Sequence, residues 1–520
     1  MHPGGGATTL EGMGDLRRPR SVFGGLKRAF WNDPAKRNMT EQMPIIDDRL
    51  AQSIIDLAMR VAEVMLSIGA SAKEVTLAAL RITTAYGLKS VHVNVTFNSV
   101  MLSDHRNGTG DPITLMQVVR SAAPDHAKLQ RLQALVNDIE SGQPLGDAIV
   151  DFHKIRRTPF MYRDAVVILV QSLLGVAIAL MYGAGWVTLV LVFIAVLLVA
   201  LTQYGLSRLR IPLFFLQAAG GFVLVAFAAG VAAGRAAGFE ALVTVRPSVV
   251  VASGIVMMLA GLAVVGAAQD AIDGFSLTAG GRILDIAVMT MGLVVGIVTG
   301  LELARQIGYG LEMPTTSLAF GPALGHVAGA VLIAAAVAVL NGSGARIIVT
   351  SAVLGAAAWA GWYVLATLLS APHASAVFGG ALLASFIGSV IADRLSVPSI
   401  AVTTAAMIPM VPGTAVFQGL LGFVSADSDP AHFLAAFDSL FTAGLTGIAL
   451  ASGATLGLMI GSPLRLRLGG RTVLMRAKAR PVSAAGGTAA FEVVHTEPVD
   501  PVVAEVDDPH PLTKPNEPEE

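Results

Sequence analysis

Residues 408–419 read IPMVPGTAVFQG, inside a run from Ile400 to Val424 that contains no Asp, Glu, Lys or Arg. An apolar run of that length has the reach of a membrane-spanning helix. Pro409, Pro412 and Gly413 nevertheless stand near its centre, and both residue types interrupt helices. Freed backbone groups are tolerated at membrane depth only where they are buried in protein or line a cavity. The stretch therefore predicts a broken helix whose termini can hold the charged ends of a small solute. A proline kink that serves packing alone is the alternative.

The composition around this stretch agrees. Of 520 residues, 54% are hydrophobic and 14% charged, with 55 glycines, which is too apolar for an ordinary soluble protein. The net charge of −1 offers no bulk attraction to nucleic acid, and the absence of cysteine excludes disulfides, thiolate metal sites and cysteine nucleophiles. There is no GxxxxGK[ST] phosphate loop and no metal-ligand cluster, so ATP drive, metals and other cofactors are not expected. Met1 to Thr40 lacks the apolar core of a signal peptide, which points to a cytoplasmic first part.

The pattern predicts a polytopic α-helical membrane protein of about ten transmembrane helices, with a small N-terminal soluble α/β domain. Residues 1–44 read as a disordered basic arm, 45–158 as the soluble domain and 477–520 as a disordered acidic tail. The membrane part divides into units at 165–305 and 315–465. In the soluble domain, Ile54, Leu57, Val61 and Met65 mark one helix face. Ser71 and Glu74 have capping-box spacing for a second helix that Gly87 ends. Val91, Val93, Val95 and Phe97 alternate as in a half-buried strand. Ile113–Val119 is expected to return as its partner after RNGTGD, and Leu129, Leu132, Val136 and Ile139 mark a third helix. His92, Ser103, Asp104 and His105 supply acid–base residue types, but no catalytic spacing contains them. A docking or regulatory role is favoured, and the chain is read as not an enzyme.

The predicted spans are 165–182, 186–206, 212–233, 247–268, 283–301, 319–340, 346–369, 374–392, 399–424 and 437–461. Arg and Lys cluster at 154–163 and 465–476, which places both termini in the cytoplasm. RPSVVVASG (246–254) resembles VPSIAVTTA (397–405), and each follows a span with a Gly-Gly pair, at 220–221 and 379–380. Two units of five spans enter the membrane from opposite sides, as in the inverted repeats of secondary transporters.

Three stretches resemble the threonine/serine exporter family. MLSIGASAKEVTLAALRITTAYGL (65–88) with VNVTFNSVMLS (93–103) is similar to its N-terminal portion. SGIVMMLAGLAVVGAAQDAIDG (253–274) resembles the first-half Pro-Gly motif, with an Asp nine residues after the glycine. MIPMVPGTAVFQGL (407–420) resembles the second-half Pro-Gly motif. The resemblance assigns Gly261 and Asp270 to the first motif, and Pro412 and Gly413 to the second. Ala260 stands where the family's first proline would be, which removes the residue-level reason for a break there. The resemblance implies export of threonine and serine across the cell membrane, driven by protons. Ionisable groups at membrane depth default to functional roles. Asp270 is the leading coupling candidate, beside Gln269, with Gln418 as its neutral counterpart and Gln171 and Gln217 as interhelical hydrogen-bond partners. A carrier or channel for another solute, and an enzyme acting through the N-terminal domain, are the alternatives.

Overall fold

The computed structural model describes residues 47–105, 112–120, 123–259, 261–309, 321–395, 399–411 and 430–478, together with 413, 415, 416, 418, 419 and 422. Residues 1–44, residues 479–520 of the predicted acidic tail and Pro412 lie outside the described residues, while 477 and 478 continue the last helix.

Residues 48–157 form an N-terminal module of α1 (Asp48–Ser67), α2 (Ala72–Ala85), β1 (Val91–Thr96), β2 (Ser99–Asp104), β3 (Ile113–Val118), α3 (His126–Glu140) and α4 (Leu145–Arg157). Its helices lay their apolar faces on one core that includes Ile54, Val61, Ile82, Leu102, Leu132 and Phe152. The caps follow the sequence: Ser71 Oγ accepts from the Glu74 N–H at 3.2 Å, and Gly87 takes φ +93° just past α2. The sheet differs from the expectation. It is antiparallel in the order β1-β2-β3, so 113–118 pairs with β2 and not with β1. The chain already reverses at Phe97-Asn98, which lacks the Asn-Gly signature of a tight hairpin. His92 and Asn94 on β1 are exposed.

Among the described residues, eight helices are long and apolar enough to cross a membrane. Six are α5 (Asp164–Met181), α6 (Trp186–Arg208), α7 (Leu213–Ala236), α10 (Ser276–Gln306), α11 (Ala323–Leu340) and α13 (His373–Leu395). The others are α12 (Ala345–Tyr363), extended by a π-helical turn to Leu368, and α15 (Pro430–Lys478). Between α7 and α10, the predicted span 247–268 is two helices, α8 (Pro247–Met258) and α9 (Gly261–Ile272), bent by 45°. Between α13 and α15 lie α14 (Ser399–Met407), a 3-10 turn at Ile408–Met410, and helical backbone again from Gly413. Proline sits at or beside the start of α7, α8 and α11, where its missing N–H costs nothing.

Close helix contacts come in matching pairs. Gly296 and Gly300 of α10 face the backbone carbonyls of Ala218 and Phe222 on α7, and Gly453 and Gly457 of α15 face those of Phe378 and Leu382 on α13. A Cβ at Gly457 would sit 2.6 Å from the Leu382 oxygen, so only glycine permits the approach. The α5–α6 and α11–α12 turns are also alike. Gly183 has φ +69° before Gly185, and Gly342 has φ +67° before Gly344.

Candidate functional site

The two helix interruptions have the same backbone. Leu259, after α8, has φ −72° and ψ 135°; Val411, after the 3-10 turn, has φ −67° and ψ 133°. Each is one extended residue that ends a helical stretch, and the described helical backbone resumes two residues on at a glycine, Gly261 or Gly413. The first break forms although Ala260 occupies the proline position, where the sequence alone gives less reason for one. Tertiary packing accounts for it. The methionine before each break lies against a glycine of a neighbouring helix. A Cβ at Gly220 would be 2.5 Å from Met258 Cε, and one at Gly380 would be 2.9 Å from Met410 Sδ. Gln217 donates from Nε2 to the Met258 carbonyl at 3.4 Å, and Gln203 donates to Gln217 Oε1 at 3.5 Å. The carbonyl freed by the break thus gains a polar neighbour.

The two breaks meet. A Cβ built at Gly413 would lie 3.1 Å from Leu259 Cδ1 and 3.7 Å from Leu259 Cβ. Met410 and Val411 pack with Trp362 against a core of Val265, Val377, Met407 and Leu450. His326, buried on α11, meets Trp362 and Trp359 edge-on at 5.9 and 6.3 Å. Two interrupted helices touching at their breaks bring backbone polar groups and helix termini together inside an apolar body, an arrangement suited to a small zwitterion.

Of the predicted residues, Gly261 and Gly413 belong to this junction, and Pro409 sits in the 3-10 turn beside it. Gln418 is helical and half-buried five residues on. Gln269 and Asp270 are buried but lie elsewhere. Nine residues of helix separate Asp270 from Gly261, about 13 Å along the axis, and carry it to the N-terminal module. There Asp270 Oδ2 pairs with Arg282 Nη1 at 2.9 Å, and Oδ1 accepts from the Ala72 N–H, the first of α2, at 3.2 Å. Arg282 also donates to the Ala70 carbonyl at 3.3 Å, and Lys73 pairs with Asp273 at 2.7 Å. Asp270 therefore occupies the N-terminus of α2, where the helix dipole favours a negative charge. Glu74 reaches back to the Ser71 backbone N–H, the return arm of a capping box. Its Oε1 receives Gln133 Nε2 at 3.4 Å, while Oε2 is buried without a hydrogen bond. Burial is the largest cause that raises Glu74 from 4.5 to about 7; the Ser71 hydrogen bond opposes it and the charge of Asp270 adds to it.

The module also holds the α11–α12 turn. The His126 N–H donates to the Asn341 carbonyl at 2.8 Å, His126 Nδ1 lies 3.1 Å from Ser343 Oγ, and Tyr162 donates to the Ser343 carbonyl at 2.7 Å. Burial lowers His126 from 6.5 to about 4. Arg282, His126 and Ser343 were not singled out as site residues from the sequence, and Glu74 only as part of a helix cap. The Gly-x-Gly turns at 183–185 and 342–344, one hundred and fifty-nine residues apart, are the signal that could have drawn attention to Ser343.

A threonine/serine exporter family model matches residues 56–304, and a second, described as Threonine/Serine exporter, ThrE, matches residues 326–460. A protein of Mycobacterium tuberculosis named as a probable threonine/serine exporter is 31% identical over 82% of this chain and 79% of its own. The threonine/serine exporter of Corynebacterium glutamicum is 27% identical over 81% of this chain and 85% of its own. No solved structure matches. Both matched regions contain one of the two helix breaks, and the chain is a multi-pass membrane protein that belongs to the threonine/serine exporter family.

Proposed function

We propose that this protein exports threonine and serine across the cytoplasmic membrane as a secondary transporter driven by the proton motive force. The observation that carries this reading is the contact between two helix breaks of like geometry at Leu259 and Gly413. Its substrate is a small zwitterionic amino acid, held between the termini around Gly261, Pro409, Pro412 and Gly413. Gln269, Asp270 and Gln418 belong to the inner arms of the broken helices, where Asp270 links the transport path to the N-terminal module. The working partners are the amino acid, protons and the lipid bilayer.

Ten spans in two inverted five-span units, 165–305 and 315–465, fit this reading, with the 45–158 domain and both termini cytoplasmic. Counting supports it. The module meets the chain at the start of α5, at Asp270–Arg282 and at Asn341–Ser343. It lies on one side of the membrane, so an even number of crossings separates these points. Helices α5, α6 and α7 make three, and the bent pair α8–α9 supplies the fourth; α10 and α11 add two more. The like-shaped turns at Gly183 and Gly342 then fall on opposite faces, as units of opposite orientation require.

Efflux of radiolabelled threonine and serine from loaded cells, with and without this protein, tests the proposal. Faster efflux that a protonophore abolishes is expected. Equal efflux in both strains would overturn it.

A further inference from the structure

We propose that Glu74, on the N-terminal module, is where this protein binds a proton from the side of the membrane that the module faces, with Asp270 and Arg282 as its fixed ion-pair neighbours. The export reading supplies what that proton would do; where it binds rests on the cluster alone. Three charged groups converge where α2 meets the membrane helices: Glu74, Asp270 and Arg282. Asp270 is paired with Arg282, so an ionised Glu74 beside it adds one uncompensated negative charge. The neighbouring Lys73–Asp273 pair at the rim is neutral in sum. From α3 the facing group is the uncharged Gln133.

The two carboxylates are not equivalent. Asp270 has Arg282, the Ala72 N–H and the N-terminus of α2, all of which favour its ionised form. Glu74 has one long hydrogen bond from Gln133 and the backbone N–H of Ser71, which lowers it by less than burial raises it. Its second oxygen is buried and bare. A buried carboxylate with so little support is neutral when a proton is at hand, and burial does raise Glu74 to about 7. The proton therefore resides on Glu74, and Asp270 stays paired.

The location gives the proton leverage. Asp270 lies in the last turn of α9, the arm below the first helix break, and Asp273 directly follows it. When Glu74 loses its proton, its charge repels that of Asp270 across the contact between module and α9, and the contact weakens. Protonation of the module is thereby tied to the freedom of the broken helix.

Infrared difference spectra of the purified full-length protein, titrated from about pH 5 to about pH 9, detect a protonated carboxyl directly by its C=O stretch. A carboxyl with a midpoint near about 7 is expected in the wild type. It should vanish in Glu74→Gln and persist in Asp270→Asn with its midpoint lowered, since the charge of Asp270 that raises Glu74 is then gone. The pH dependence of serine efflux across this range should flatten in Glu74→Gln. A wild type with no carboxyl titrating in this range overturns the proposal, as does a Glu74→Gln protein that keeps the band. The wild-type measurement decides even if the variant does not fold. Serine counterflow by wild-type proteoliposomes tests the export reading separately: its absence defeats that reading while the titration still decides where the proton binds.

Discussion

Leu259 and Val411 adopt nearly the same extended conformation at the ends of two helices, yet only Val411 precedes a proline. The second break is written locally in Pro409, Pro412 and Gly413. The first is imposed from outside, by Met258 against Gly220 and by Gln217 at the Met258 carbonyl. Proline is thus one way to make the break and not its cause; the packing around it is shared. The units differ beyond the breaks. Nine residues after Gly261 stands Asp270, paired to Arg282 and to the N-terminal module. Nine residues after Gly413 stands Gly422, whose added Cβ would lie 2.8 Å from Ala436 Cβ. The module grips the first unit through charge and the second through the neutral groups of His126, Asn341 and Ser343.

The likeness is broken most severely at the glycine contacts. Gly296→Leu and Gly453→Leu each force a side chain into a facing backbone carbonyl, a cost of more than about 3 kcal/mol. Neither variant should yield folded, monodisperse protein in detergent. A wild-type melting temperature in one but not the other would show that the two units are not packed alike.

The difference is sharpened by Asp270→Asn, which keeps size and removes the buried ion pair. Loss of one partner of such a pair costs about 3–5 kcal/mol, felt here mainly as release of the module. Gradient-driven serine efflux should fall by more than about tenfold, and limited proteolysis near residues 158–163 should accelerate. Undiminished efflux would leave Asp270 a structural carboxylate.

The two grips also titrate in opposite senses. Glu74, raised from 4.5 to about 7, contributes stability that is full below about pH 4.5 and lost as pH rises through about 7. His126, lowered from 6.5 to about 4, contributes stability that is full above about pH 6.5 and lost as pH falls through about 4. Between these limits they offset. The melting temperature should therefore be nearly level from about pH 5 to 6 and decline from about pH 6.5 to 7.5, and Glu74→Gln should remove that decline. A decline that persists in the variant would locate the titration elsewhere.

The smallest effect is expected from Ala260→Pro. The residue before a proline must be extended, and Leu259 already is. Serine efflux should stay within about twofold and stability within about 1 kcal/mol, whereas Val264→Pro, inside α9, should cost about 3 kcal/mol. A collapse with Ala260→Pro would mean that the first break does not share the geometry of the second.

Local chemistry made much of this fold legible. The caps at Ser71 and Gly87, the alternation of β1 and the apolar lengths of the membrane helices all follow from short-range residue pattern. The β2–β3 pairing and the break at Leu259 were not legible, because a Phe-Asn turn and an Ala-Gly step carry no breaking signal of their own. Asp270 was visible as a carboxylate on an apolar helix. Its partners Ala72 and Arg282 were not, since they are brought to it by the docking of a separate module.

The contact between the breaks carries the account, and it can be measured. The chain has no cysteine, and the Cβ positions at 259 and 413 lie 3.7 Å apart, within the span of a disulfide. The double variant Leu259→Cys/Gly413→Cys should form an intramolecular disulfide under mild oxidation, stop serine efflux when oxidised and recover when reduced. Failure to cross-link, or full efflux by the cross-linked protein, would contradict a transport path built where the two broken helices meet.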